Sequence, residues 1–127
     1  MIALRALTFA LAGLGGLMPT HPALAQSADT LAGAKLYQAK CGTCHSLDAN
    51  RIGPAHRGVF GRAAGSAAGY SYSPMLKASG IVWNAASLDQ WLQGPQKMVK
   101  GSKMYFAVPG ASDRAAIIAY LKATSGK

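Results

Sequence analysis

Glutamate is absent from the chain, and four aspartates are its whole acidic complement against 13 Lys and Arg, a formal charge of +9. Basicity on that scale points to an anionic partner. No basic run is long enough for a nucleic-acid-binding arm, and the export pattern described below also argues against nucleic acid. An acidic protein face, or at most peripheral contact with anionic lipid headgroups, is the better match. Internal repeats, low-complexity linkers and strand-like alternation are missing too. The expected fold class is therefore all-α. The apolar run from Ala6 to Met18 is too short to span a bilayer comfortably.

That run follows one positive charge at Arg5 and precedes Ala23-Leu24-Ala25, the layout of a secretory signal peptide cleaved after Ala25. Residues 1–25 are thus expected to be removed, leaving 26–127 as a single domain exported to the periplasm. A domain of that size buries only a modest apolar core. A large apolar prosthetic group at its centre would contribute substantially to stability.

Cysteine is equally scarce. Cys41 and Cys44 are the only two, and both lie in one pentapeptide. A disulfide closing so short a loop would constrain the unfolded chain little. Cys41-Gly42-Thr43-Cys44-His45 is, however, the attachment signature of a c-type haem. Two thiols spaced by two residues reach the two vinyl groups of one porphyrin edge, and the adjacent His45 becomes the proximal iron ligand. The same letters suit a thioredoxin-like redox pair or half of a zinc site. The first needs a βαβ context, and the second needs two more ligands, for which only His56 is available after the leader.

The remaining chain reads as about four short helices separated by long glycine-rich loops. Gln26 to Ala28 is expected to fray, and Asp29 to cap a helix from about Thr30 to Lys40. Gly33 inside it costs about 1 kcal/mol relative to Ala, so a close crossing is expected there. Ser46 to Ser73 is too rich in Gly for regular structure, and a loop of that length usually wraps around something. Ser73-Pro74 opens a helix to about Ser79. Asn84 caps another that carries Leu88, Trp91 and Leu92 and stops at Gly94-Pro95. After the loop GSKMYFAVPG, Ser112 starts the last helix, with Ile117, Ile118 and Leu121 facing a core.

The sixth iron position decides the chemistry, because an open face binds gases or peroxide whereas two strong protein ligands favour electron passage. Met75, Met98, Met104, His56 and several lysines are candidates. Met104 is favoured because it follows a non-helical Gly101-Ser102-Lys103 approach well after the haem motif. A thioether prefers reduced iron and would raise the reduction potential.

The chain resembles class I cytochrome c, specifically the mitochondrial branch and its bacterial relatives, over the whole domain after the leader. The resemblance rests on CGTCH, on IGPAHRGVFGRAAGSAAGYSYS through GIVWNAASLDQWLQGPQKMVKGSKMYF, and on the ending IIAYL. The loop after His45 is shorter than in that pattern, and one residue fewer separates Met104 from Tyr120. The resemblance implies one haem c with His45 and Met104 as axial ligands, and a Pro54 carbonyl that accepts from the His45 ring. It implies a buried propionate held by Arg62, Tyr72 and Trp83, with Ser73 and Ser102 as further hydroxyl donors. Gly33 and Tyr37 would meet Tyr120 where the terminal helices cross. His56 would fall on a surface loop. Trp91 replaces the family's tyrosine beside the methionine sulfur and Leu76 an asparagine, which suggests a drier crevice with fewer hydrogen bonds to that sulfur.

Lys40, Lys97, Lys100 and Lys103 would ring the exposed haem edge and orient it toward acidic partners. The implied function is a monomeric one-electron carrier of the respiratory chain, working between a quinol-oxidising complex and an oxidase or reductase. A small peroxidase-like haem enzyme and a dedicated electron-entry subunit of one periplasmic oxidoreductase are the alternatives.

Overall fold

A computed structural model of the chain describes residues 22–126, the side chains of 22–27 excepted. Among the described residues five helices succeed one another: α1 (Pro22–Lys40), α2 (Pro74–Lys77), α3 (Ala85–Gln93), α4 (Pro95–Met98) and α5 (Ala111–Ala123). Among the described residues no strand forms, and Ala63 and Val82 make only an isolated bridge. The all-α expectation holds, with one more helix than the sequence suggested.

Local chemistry explains most of the boundaries. Ser73 Oγ accepts from the Leu76 N–H at 3.2 Å and Pro74 takes the first helical position of α2. At α3, Asn84 Oδ1 accepts from Ser87 N and Ser87 Oγ accepts from Asn84 N, each at 2.9 Å, closing a reciprocal capping box. Leu88, Trp91 and Leu92 are the buried stripe of that helix.

Two expectations fail. Gln26–Ala28 belongs to α1, so Asp29 lies inside the helix instead of capping it. The residues from Ala23 to Gln26 are good helix formers, and nothing between them and Asp29 breaks the helix. The leader reading itself concerns residues of which 1–21 lie outside the described part. The second failure is α4, a helix where only a stop at Gly94-Pro95 was expected. Pro95 ends α3 but also presets the next turn, whose Lys97 and Met98 N–H groups donate to the Gly94 carbonyl at 3.0 and 3.2 Å.

Helices α1 and α5 pack across each other at Gly33. A Cβ there would lie 2.1 Å from the Ala116 carbonyl oxygen and 2.8 Å from Tyr120 Cβ. The Tyr37 and Tyr120 rings meet beside that point, centroids 5.2 Å apart. The close crossing explains a glycine that helix propensity alone would reject. Helix α5 also packs on α3, and α3 on α4, so the long loop 46–73 closes one side of a core whose interior is a cavity.

Candidate haem site

Much of the apolar core faces this cavity of about 500 Å³, including Val59, Leu76, Trp83, Leu88, Leu92 and Ile117. That volume is within the range of cofactor pockets. Cys41, Cys44 and His45, placed by the turn that follows α1, stand on the same wall, and no disulfide joins the two cysteines.

His45 is held from two sides. Its Nδ1 donates to the Pro54 carbonyl at 2.9 Å, as expected. Gly53 presses its backbone on the ring so closely that a Cβ would lie 2.1 Å from His45 Cε1. Burial lowers the proton affinity of His45, and the Pro54 bond opposes that shift. A neutral ring with its proton on Nδ1 leaves the Nε2 lone pair available to a metal. Sequence reasoning singled out Pro54 but missed Gly53, whose only signal was its place beside that proline.

The competing readings of the two cysteines fail on chemistry. Burial, then the neighbouring Cys44, push the Cys41 thiol up to about 11, with Lys40 opposing. Reactive dithiol cysteines need the reverse shift. For zinc, no three His, Cys, Asp or Glu side chains gather among the described residues.

Of the three described methionines, Met104 alone lines the cavity, while Met75 is 57% exposed. The Trp91 Nε1–H donates to Met104 Sδ at 3.3 Å. The expectation of fewer hydrogen bonds at this sulfur is therefore corrected, because the indole replaces one donor with another. Leu76 remains an apolar, buried part of the same wall.

Arg62, Tyr72, Ser73 and Trp83 also line the cavity. Arg62 spends its terminal nitrogens on the Ala55 and Arg57 carbonyls at 3.0 and 3.3 Å, but its Nε is buried without a partner. Such an orphaned cationic N–H suits a carboxylate. Tyr72 Oη accepts from the Ala67 N–H at 3.1 Å and keeps its own proton to donate. Ser102 differs from expectation: it is buried but off the cavity wall, and Gln96 Nε2 approaches its hydroxyl at 2.9 Å. The turn between α4 and Met104 directs it toward α4. Two attachment thiols, a neutral imidazole and an unpaired guanidinium N–H around an apolar space of this size together fit a haem.

His56 overturns its surface placement. It lines the cavity with its ring stacked on His45, centroids 3.9 Å apart and planes 19° from parallel. Tyr37 Oη lies 3.0 Å from its Nδ1. Burial, then His45 and Arg62, push its pKa down to about 3. Of the expected lysine ring, Lys97 and Lys100 are exposed, Lys40 sits 3.6 Å from Asp113, and Lys103 donates to the Ser71 carbonyl and lies over the Tyr70 ring.

The sequence pattern of the family described as Cytochrome c matches residues 30–125. The chain belongs to the cytochrome c family. Cytochrome c of Gibberella zeae is 43% identical over 98 residues, covering 74% of this chain and 92% of that one. Cytochrome c of Euglena viridis is 44% identical over 97 residues, covering 74% and 95%. Among solved structures, cytochrome cH from Methylobacterium extorquens superposes with a TM-score of 0.72 at 43% identity, covering 75% of this chain and 98% of that chain. As a cytochrome c, the protein is an electron carrier and not an enzyme, and its cofactor is a covalently held haem c.

Proposed function

We propose that this cytochrome c is a monomeric periplasmic shuttle of the respiratory chain with His45 and Met104 as the axial ligands of its iron. Residues 1–25 serve as a signal peptide cleaved after Ala25, and 26–127 form the working domain. The observation that carries the ligation is Met104: it alone of the described methionines lines the cavity with His45, and its sulfur is held by Trp91. When bound, the haem supplies a one-electron couple in which no bond is made or broken.

The chain's own residues tune and protect that couple. Pro54 and Gly53 orient His45, the apolar wall excludes water, and Arg62, with Tyr72, Ser73 and Trp83, compensates a propionate that would cost several kcal/mol if buried unpaired. The partners are acidic faces of membrane-bound or periplasmic redox proteins. A charge of +9 with exposed Lys97, Lys100 and Lys103 supports steering toward such faces. Among the described residues no helix is long and apolar enough to cross a membrane.

Visible spectra of the oxidised and reduced holoprotein test the ligation. The weak sulfur-to-iron band should be present in the oxidised form, and carbon monoxide should leave the reduced spectrum unchanged. Absence of the band with ready carbon monoxide binding would refute Met104 as ligand.

A further inference from the structure

The segment that delivers Met104 has little backbone support of its own. From Lys103 to Ala107, among the described residues, no N–H donates to another backbone carbonyl. The nearest backbone anchors are Ser102 N to Val99 O at 3.1 Å and Val108 N to Leu92 O at 2.7 Å. An unsupported stretch of this kind opens more easily than the fold as a whole.

Gln96, in α4, reaches back into the start of that stretch. Its Nε2 lies 2.7 Å from the Ser102 carbonyl oxygen, 2.8 Å from the Met104 carbonyl oxygen and 2.9 Å from Ser102 Oγ. Its Oε1 accepts from the Gly101 N–H at 3.2 Å. These partners determine the amide orientation, since a backbone N–H only donates and a carbonyl only accepts. One half-buried side chain thus joins Gly101, Ser102 and Met104, while Trp91 holds the methionine sulfur at 3.3 Å.

We infer that Gln96 is the positioning residue of the Met104 loop: its carboxamide ties the loop shut, so that the sulfur is not displaced by a competing ligand. The inference rests on the proposed His45/Met104 ligation. It goes beyond that ligation by assigning the resistance to displacement to a residue that touches neither haem wall nor iron ligand side chain. A small ligand can reach the sixth position only when the loop opens, and opening breaks the bonds to both carbonyls. Each bond contributes modestly, but a carbonyl left without a partner in the half-open loop adds to the cost.

The test is a titration of the oxidised holoprotein with imidazole, followed by loss of the sulfur-to-iron band, alongside denaturant unfolding followed by far-ultraviolet circular dichroism. Gln96→Ala should bind imidazole about tenfold more tightly, equivalent to 1.4 kcal/mol, with the unfolding midpoint nearly unchanged. Gln96→Glu, which keeps the size but turns carboxylate oxygens toward the two carbonyls, should bind it at least as tightly and carries the same test if the alanine variant does not load haem. Unchanged imidazole affinity in a wild-type-like spectrum would overturn the inference. So would a gain in affinity matched by an equal loss of global stability, because the amide would then serve the fold and not the loop. Lack of the band in the unsubstituted protein would instead overturn the Met104 ligation itself.

Discussion

The indole Nε1–H of Trp91 donates to the sulfur of Met104 at 3.3 Å, across thirteen residues of chain. A donor on the sulfur draws density from the lone pair that would bind oxidised iron, and so favours the reduced state. Trp91→Phe should keep the edge-to-face packing on Trp83, whose centroid is 5.2 Å away, and lose only the N–H. The reduction potential should fall by about 20–40 mV, against the 59 mV that a tenfold change requires in a one-electron couple. Redox titration measures it, and an unchanged or raised potential would contradict the role assigned to this bond.

The Tyr37–His56 pair should be energetically coupled. Tyr37 is 4% exposed, and its hydroxyl has His56 Nδ1 3.0 Å away. His56→Leu should cost about 1–3 kcal/mol by leaving that hydroxyl buried and unmatched. Adding Tyr37→Phe should recover part of the loss. Denaturant unfolding of the four holoproteins gives a coupling energy of at least about 0.5 kcal/mol if the pair works as a unit.

Gly33→Ala sets two effects against each other. Helix propensity favours alanine by about 1 kcal/mol. The added Cβ, 2.1 Å from the Ala116 carbonyl oxygen, would force α1 and α5 apart, and overpacking typically costs about 1–3 kcal/mol, occasionally more. The clash should win because its nearest atom is backbone and cannot swing aside. Calorimetry should show a Tm lower by several degrees, with helix content retained.

Asp89 ties α3 to α5 through Arg114, whose Nε lies 2.7 Å from Asp89 Oδ1 and whose Nη1 donates to the Val108 and Pro109 carbonyls at 3.0 and 2.8 Å. The bond from Arg114, then one from Gln93, hold the Asp89 carboxyl below its ordinary 3.8 while slight burial opposes them. A depressed native pKa means stability that is present above about pH 4 and lost as acid carries the pH down through the native value. Asp89→Asn should therefore reduce stability at neutral pH and converge with the unsubstituted protein in acid. Since the Asp89 side chain is 40% exposed, the neutral-pH loss should not exceed about 1 kcal/mol. Parallel curves across pH 2–6 would show that the pair contributes nothing specific.

Helices α2, α3 and the body of α5 were legible because their signals are local: Ser73-Pro74, the Asn84 and Ser87 pair, and an inward stripe of Ile117, Ile118 and Leu121. Asp29 misled because a good capping residue does not start a helix when the residues before it are also helical. At the site, Cys41, Cys44 and His45 were legible as five adjacent letters. Ser102 was assigned by resemblance to the propionate, yet the nearby Gln96 amide engages it away from the cavity wall.

By itself the sequence determined the cytochrome c signature, the helical class and the basic balance, since each depends on composition or on residues a few positions apart. Only the tertiary structure decided that His56 stacks on His45, that Gln96 spans the Met104 loop and that Trp91 restores a donor to the sulfur. Those relationships join residues from separate turns and helices. The path of the chain between them, set by the crossing at Gly33 and by the long loop closing on the cavity, determines which side chains meet.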